Sequence, residues 1–139
     1  MPKHSLSYRE TNYFSSLVTD YLDENENVKQ FYHRFPALEN FGEQIREKKN
    51  FYNSADNANR NVLVQVLEDQ YKDISITEET RKNIELLRQD NTFTVTTGHQ
   101  LNLFTGPLYF LYKIVSAINL ASELKEKYPE NNFVPVYWM

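Results

Sequence analysis

The sequence contains no cysteine, which excludes a disulfide framework, a thiolate nucleophile and a thiolate metal site within these residues. Glycine is almost as scarce. There are three, Gly42, Gly98 and Gly106, and the last two bracket one short segment. Basic residues are outnumbered, with 15 Lys plus Arg against 19 Asp plus Glu and a net charge of −4. A dedicated nucleic-acid binder needs a basic face to displace counterions from phosphate, so no nucleic-acid partner is expected. A membrane-spanning run is also missing. The uncharged stretch from Asn91 to Tyr112 holds Gly98, Gly106, Pro107 and many hydroxyls and amides, which a spanning helix would not choose. Met1 to Glu10 lacks the apolar centre of a signal peptide. His4 and His33 have no companion ligand at metal-binding spacing, so no metal is expected. The expectation is a soluble, cytoplasmic chain without a membrane partner, and 139 residues allow one domain at most.

What is present is apolar and aromatic residue enough for a core, 40% and 14% of the chain. Up to residue 90 the pattern is helical. Tyr13, Phe14, Leu17, Val18, Tyr21 and Leu22 recur at three- and four-residue spacing and predict a buried helix stripe. Asp23 to Asn27 reads as a polar turn, and Val28 to Phe35 as a short helix ended by Pro36. Leu38, Phe41 and Ile45 continue the pattern, with Gly42 a mild weakness. Val62, Leu63, Val66, Leu67 and Tyr71 predict another buried stripe, with Ser54 and Asp56 as capping candidates. Ser75 to Glu78 fits a capping box ahead of a helix whose apolar face holds Ile84 and Leu87. These residues read as packing, without a chemical motif.

After Asp90 the pattern changes. Phe93 to Thr97 is β-branched or aromatic throughout and predicts a strand. Pro107 suits the first turn of a helix capped by Thr105 or Gly106. From Leu108 to about Lys127 two apolar stripes run together, Leu108, Leu111, Tyr112, Val115, Ile118 and Phe110, Ile114, Ala117, Ala121, Leu124, Tyr128. A helix apolar on two sides should be covered on two sides. Phe133 to Met139 is a continuous apolar run, the pattern of a parallel strand buried on both faces. Strand, loop, helix and strand make a βαβ unit with parallel strands. The fold expected is therefore α/β, with a helical N-terminal region over residues 1–90 and the start of a parallel-sheet core over 91–139. Two strands cannot cover themselves, so the core is expected to be truncated, the front part of a longer protein.

Ligands of open α/β sheets gather at the carboxyl ends of the strands beside helix N-termini. Thr96, Thr97, Gly98, His99, Gln100, Asn102, Thr105 and Gly106 all fall there. Gly98 permits close approach of backbone and ligand, and the free N–H groups ahead of Leu108 favour an anion. His99 could donate to a phosphate or carboxylate or shuttle a proton, and Gln100 and Asn102 could orient a substrate. Lys113 could reach the same anion or pair with a carboxylate elsewhere. Equally, His99 could cap a loop whose glycines only turn the chain. Neither G-x-x-x-x-G-K-[ST] nor G-x-G-x-x-G occurs.

Thr96-Thr97-Gly98-His99-Gln100, then Phe104-Thr105-Gly106-Pro107-Leu108-Tyr109, Tyr112-Lys113 and Val134 to Met139 together resemble the BshC family, the cysteine-adding enzymes of bacillithiol biosynthesis. Tyr8 to Thr11 and Leu17 to Leu22 resemble the start of the same family. The resemblance covers the whole chain and the front quarter or so of a family member. It implies a Rossmann-like core related to class I nucleotidyltransferases, with Thr97-Gly98-His99-Gln100 in the place of their H-x-G-H turn. It further implies a ligase that joins L-cysteine to glucosaminyl malate through an amide, the carboxyl being activated by ATP or another nucleotide. On this reading His99 and Gln100 are catalytic, and Thr97, Gly98, Asn102, Thr105, Gly106, Tyr109 and Lys113 bind substrate or nucleotide. The complete protein is expected to be a homo-oligomer, and these residues alone inactive. The competing readings are a nucleotidyltransferase with another substrate and a non-catalytic helical interaction module.

Overall fold

A computed structural model of the chain describes residues 4–53, 58–100, 102–104 and 106–138. It divides into two compact units, Met1–Phe41 and Gly42–Met139. In the first, helix α1 (Ser16–Leu22) starts at Ser15, whose side chain accepts from Val18 N, and α2 (Glu26–Lys29) starts at Asn25, whose side chain accepts from Asn27 N. Both are side-chain N-caps satisfying otherwise orphan donors. Glu24, at φ 52°, turns the chain between them. The guanidinium of Arg9 donates to Asp20 at 2.9 Å and Asp23 at 2.7 Å, and these hydrogen bonds raise its own pKa.

Two expectations fail in this unit. The stripe on α1 is not buried, since Tyr13 and Leu17 are 86% and 65% exposed and the buried residue is Thr19. Thr19 lies on the opposite side and turns its hydroxyl back to Ser16 O at 3.0 Å. Nor does a helix run from Val28 to Phe35, because α2 stops at Lys29. Tyr32 and Phe35 pack instead around the ring of Tyr21, with centroids 5.1 and 5.3 Å away. Aromatic packing outweighs the weak propensity of a single turn.

The second unit is built on a parallel pair, β1 (Thr92–Gly98) and β2 (Asn132–Trp138), in register from Thr92 opposite Asn132 to Gly98 opposite Trp138. Helix α6 (Leu108–Lys127) makes the crossover and packs on both strands. Its contact face is the i, i+4, i+7 series Ala117, Ala121 and Leu124, all buried; two alanines let the helix axis come close to the sheet. Lys125 closes the exit from α6, its Nζ donating to Pro129 O and Asn131 O at 2.8 and 2.9 Å, where a cation meets the carbonyl end of a helix. A second cluster joins Val134 of β2 to Val64 of α4 (Ala58–Tyr71) and to Ile84 and Leu87 at α5 (Glu78–Leu86). Arg60 fastens these parts, donating to Leu87 O and Thr92 O at 3.1 Å each. Glu68 pairs with Arg88 at 2.7 Å, a hydrogen bond that holds its carboxyl below the usual range. Helix α3 (Phe41–Asn53) buries Ile45, and at Gly42 an added Cβ would meet the hydroxyl of Tyr128 at 3.3 Å.

The α/β class, the parallel pairing and the bounds of α6 agree with the sequence, and β1 and β2 each run one residue beyond the expected strand, β1 at both ends and β2 at Asn132. The stripe on α4 is displaced: Val62, Leu63 and Val66 are exposed, and Val64 is the residue wholly removed from water. The α5 cap is Thr77, which accepts from Thr80 N at 3.2 Å, rather than Ser75. Ser54 and Asp56 lie outside the described residues. Only one of the two stripes on α6 is covered; Leu108, Leu111, Tyr112, Val115 and Ile118 are 46–64% exposed. Of β2 only Val134 is buried, and Trp138 is 71% exposed, because a two-stranded sheet gives α4, α5 and α6 little surface to cover. Among the described residues no helix is long and apolar enough to cross a membrane. Since Leu124 is 1% exposed, Leu124→Ala is expected to destabilise the second unit by about 2–5 kcal/mol, read as a shift in the denaturant midpoint.

Candidate functional site

The two parallel strands end side by side at Gly98 and Trp138, and the chain leaving β1 turns across those ends into α6. Gly98 is required here by contact. A Cβ would lie 2.7 Å from the carbonyl oxygen of Trp138, a separation no real side chain tolerates. The following residue, His99, extends the ladder by donating its N–H to that same carbonyl at 3.1 Å. Its own carbonyl accepts from Tyr137 Oη at 3.2 Å. The backbone of His99 is thus fixed from β2 at both polar groups.

The imidazole is held as firmly. Tyr109, one residue into α6, places its Oη 2.6 Å from Nε2. Asn102 Nδ2 and the carbonyl of Gln100 both stand 2.9 Å from Nδ1, and Asn102 Nδ2 also donates to Gln100 O at 2.9 Å. Phe110 meets the ring edge-on at 6.2 Å and is itself edge-on to Tyr137 at 5.3 Å. Gly106, at φ +63°, makes the turn into Pro107, and a Cβ there would strike Asn102 at 2.7 Å. Its left-handed backbone and the missing side chain are both used.

Helix α6 begins without a side-chain cap and with no acid in its first turn. Pro107 is itself the N-cap, at φ −72° and ψ 154°, one position earlier than the sequence suggests, because Gly106 already completes the turn. The positive end of a 20-residue helix therefore faces the loop without an acidic side chain in its own first turn to offset it. Lys113, one turn further on, donates from Nζ to Gly98 O. It closes the strand end instead of meeting a carboxylate.

Thr97, Gly98, His99, Asn102, Gly106, Tyr109 and Lys113 are brought together by β1, the turn and the first turns of α6. Thr105 lies outside the described residues. Gln100 contributes its carbonyl to the cluster. Sequence reasoning passes over Tyr137, Phe110 and Trp138, which read only as apolar members of a strand and a helix stripe. The parallel register supplies the missing signal, since it sets Tyr137 and Trp138 level with Thr97 and Gly98. Among the described residues no group of three or more His, Asp or Glu side chains converges as a metal site.

The arrangement presents, at one edge of the sheet, an anchored imidazole, a half-exposed phenol and an uncapped helix start. That combination suits an oxyanion, a carboxylate or phosphate oxygen that takes hydrogen bonds from the phenol or imidazole and favourable potential from the helix.

Comparison with known proteins gives the family of the chain. Residues 1–139 match the family described as bacillithiol biosynthesis BshC, N-terminal Rossmann-like domain. A BshC protein of Christiangramia forsetii, a cysteine ligase by name, is 63% identical over the whole chain, which covers 25% of that protein. The namesake from Flavobacterium johnsoniae is 58% identical over the whole chain and 26% of its own length. That from Cytophaga hutchinsonii is 40% identical over 96% of the chain and 25% of its length. The chain thus spans about a quarter of the length of these relatives.

Proposed function

The chain belongs to the BshC family as its N-terminal Rossmann-like domain, and from that premise we propose that the full-length protein carrying it is a ligase joining L-cysteine to glucosaminyl malate. The reaction forms an amide between the cysteine carboxyl and the sugar amine. A carboxylate does not acylate an amine unaided, and a nucleotide such as ATP would supply its activation. The observation that carries the reading is the imidazole of His99, held on both ring nitrogens at the carboxyl end of a parallel sheet.

The roles follow from position. His99 and Tyr109 would meet the oxygens of the carboxyl or of the phosphate that activates it, where negative charge develops as the amine attacks. Gly98 keeps the strand ends close enough for a ligand to lie against backbone, and the first N–H groups of α6 favour the same charge. Lys113, engaged with Gly98 O, keeps the end of β1 in place. Gln100 is exposed and free to orient substrate with its amide. The interaction-module reading requires the loop only to turn the chain, and leaves unexplained why both nitrogens of a histidine are held there.

The test is direct. The full-length protein is incubated with ATP, L-cysteine and glucosaminyl malate, and the product is followed by mass spectrometry alongside nucleotide consumption. An amide product that depends on all three is expected. Nucleotide turnover independent of cysteine would point to nucleotidyl transfer onto another substrate and overturn the reading.

A further inference from the structure

The outer face of α6 is apolar where a surface helix would be polar. Leu108, Leu111, Tyr112, Val115 and Ile118 fall together on one side and are 46–64% exposed. At about 100° per residue, that side lies roughly 150° round the helix from Ala117, Ala121 and Leu124, the buried residues that face the strands. The sheet therefore cannot cover it. The stripe also stops short of the helix end. Further along, the same face holds Asn119, Ser122 and Glu126, all exposed, so only the half of α6 nearest the candidate site is apolar outside. A contiguous apolar patch with a polar margin marks a contact surface, unlike a scatter of single exposed side chains. Its margin is neutral or acidic, which does not suit a helix lying on a membrane through a Lys and Arg rim.

The size of the patch points to its occupant. Five large side chains about half exposed leave on the order of 500 Å² between them. That is below the ~800 Å² per partner of a standard interface between separate molecules. It matches one side of a contact between domains of one chain, about 600–1,500 Å² counted on both sides. A tethered partner needs less interface, because its effective concentration is high. The chain matches the N-terminal domain of its family and spans about a quarter of the length of its relatives, so a tethered partner is at hand.

We propose that the outer face of α6 from Leu108 to Ile118 is the docking surface for a segment of the same polypeptide, drawn from the part of the full-length protein that follows this domain. The docked segment borders the candidate site, since Leu108 adjoins Tyr109, whose Oη is 2.6 Å from His99 Nε2. The proposal rests on family membership and not on the ligase reading.

Photo-crosslinking in the full-length protein tests it. Tyr112→p-benzoylphenylalanine keeps an aromatic ring and reports what lies against the stripe. Irradiation is expected to give an intramolecular adduct that mass spectrometry maps to residues beyond 139. An adduct joining 14N- and 15N-labelled copies would make the face a contact between two molecules and overturn the proposal. An adduct to residues 4–41, or none at all, would overturn it too. A second pair of variants does without the bulky probe. Val115→Asp puts a charge into the covered stripe and is expected to lower the denaturant midpoint of the full-length protein or to prevent its folding. Ser122→Asp, on the same face beyond the stripe, is expected to leave the midpoint where it was. Equal midpoints for the two variants overturn the proposal, whatever reaction the protein catalyses.

Discussion

His99→Ala in the full-length protein is expected to lower the rate of amide formation about a hundred- to a thousand-fold, the usual effect of removing one pre-positioned donor to developing negative charge. The cause is more than the loss of a ring. Tyr109 Oη loses its neighbour at 2.6 Å and Asn102 Nδ2 its neighbour at 2.9 Å, so the phenol and the turn lose their alignment together. The fold should survive, because the backbone bonds of His99 to Trp138 and Tyr137 do not use the side chain. Circular dichroism is the folding control. His33→Ala, in the other compact unit, is the contrasting variant and should leave the rate unchanged. A His99→Ala enzyme working at the native rate would reduce the histidine to a loop cap.

The second large effect is expected at Gly98. Gly98→Val places a branched carbon 2.7 Å from the Trp138 carbonyl oxygen and 3.2 Å from its Cβ. Backbone cannot yield there as a flexible side chain would, so the strands must part at their ends. Overpacking of this kind typically costs about 1–3 kcal/mol. Here the distortion also falls on the bond from His99 N to Trp138 O and on the carbonyl that Lys113 holds. Both stability and turnover should drop, read as a lower denaturant midpoint and a rate below that of His99→Ala. Gly98→Ala carries the same Cβ and should show the same double loss in milder form. A Gly98→Val enzyme with native stability would contradict the close approach of the two strand ends.

What could be read before the structure divides along physical lines. The β1, α6 and β2 segments were legible because their residue types leave few alternatives: β-branched or aromatic Phe93 to Thr97, a long apolar helix opened by Pro107, and the apolar run at Phe133. The helices ahead of them were legible as helices and not as faces. On α4, Val62, Leu63, Val64, Val66 and Leu67 sit so densely that periodicity allows more than one stripe, and packing against Val134 selects the one through Val64. On α1 the apolar side chains are exposed, since a seven-residue helix buries little. For the site, strand end, glycine and helix start in the sequence pointed to the loop from Thr97 to Gly106 as the candidate anion site. The interlocking of His99 with Tyr109, Asn102 and Tyr137 was not legible, because it depends on the pitch of α6 and the register of β2.

The central claim is that the turn between Gly98 and the start of α6 seats the reacting groups. The most direct measurement is a crystal structure of the full-length protein with ATP, L-cysteine and glucosaminyl malate bound. A carboxylate or phosphate oxygen within hydrogen-bond distance of Tyr109 Oη or His99, against the first turn of α6, is the expected result. Ligands bound elsewhere, with this loop unchanged and empty of them, would contradict it.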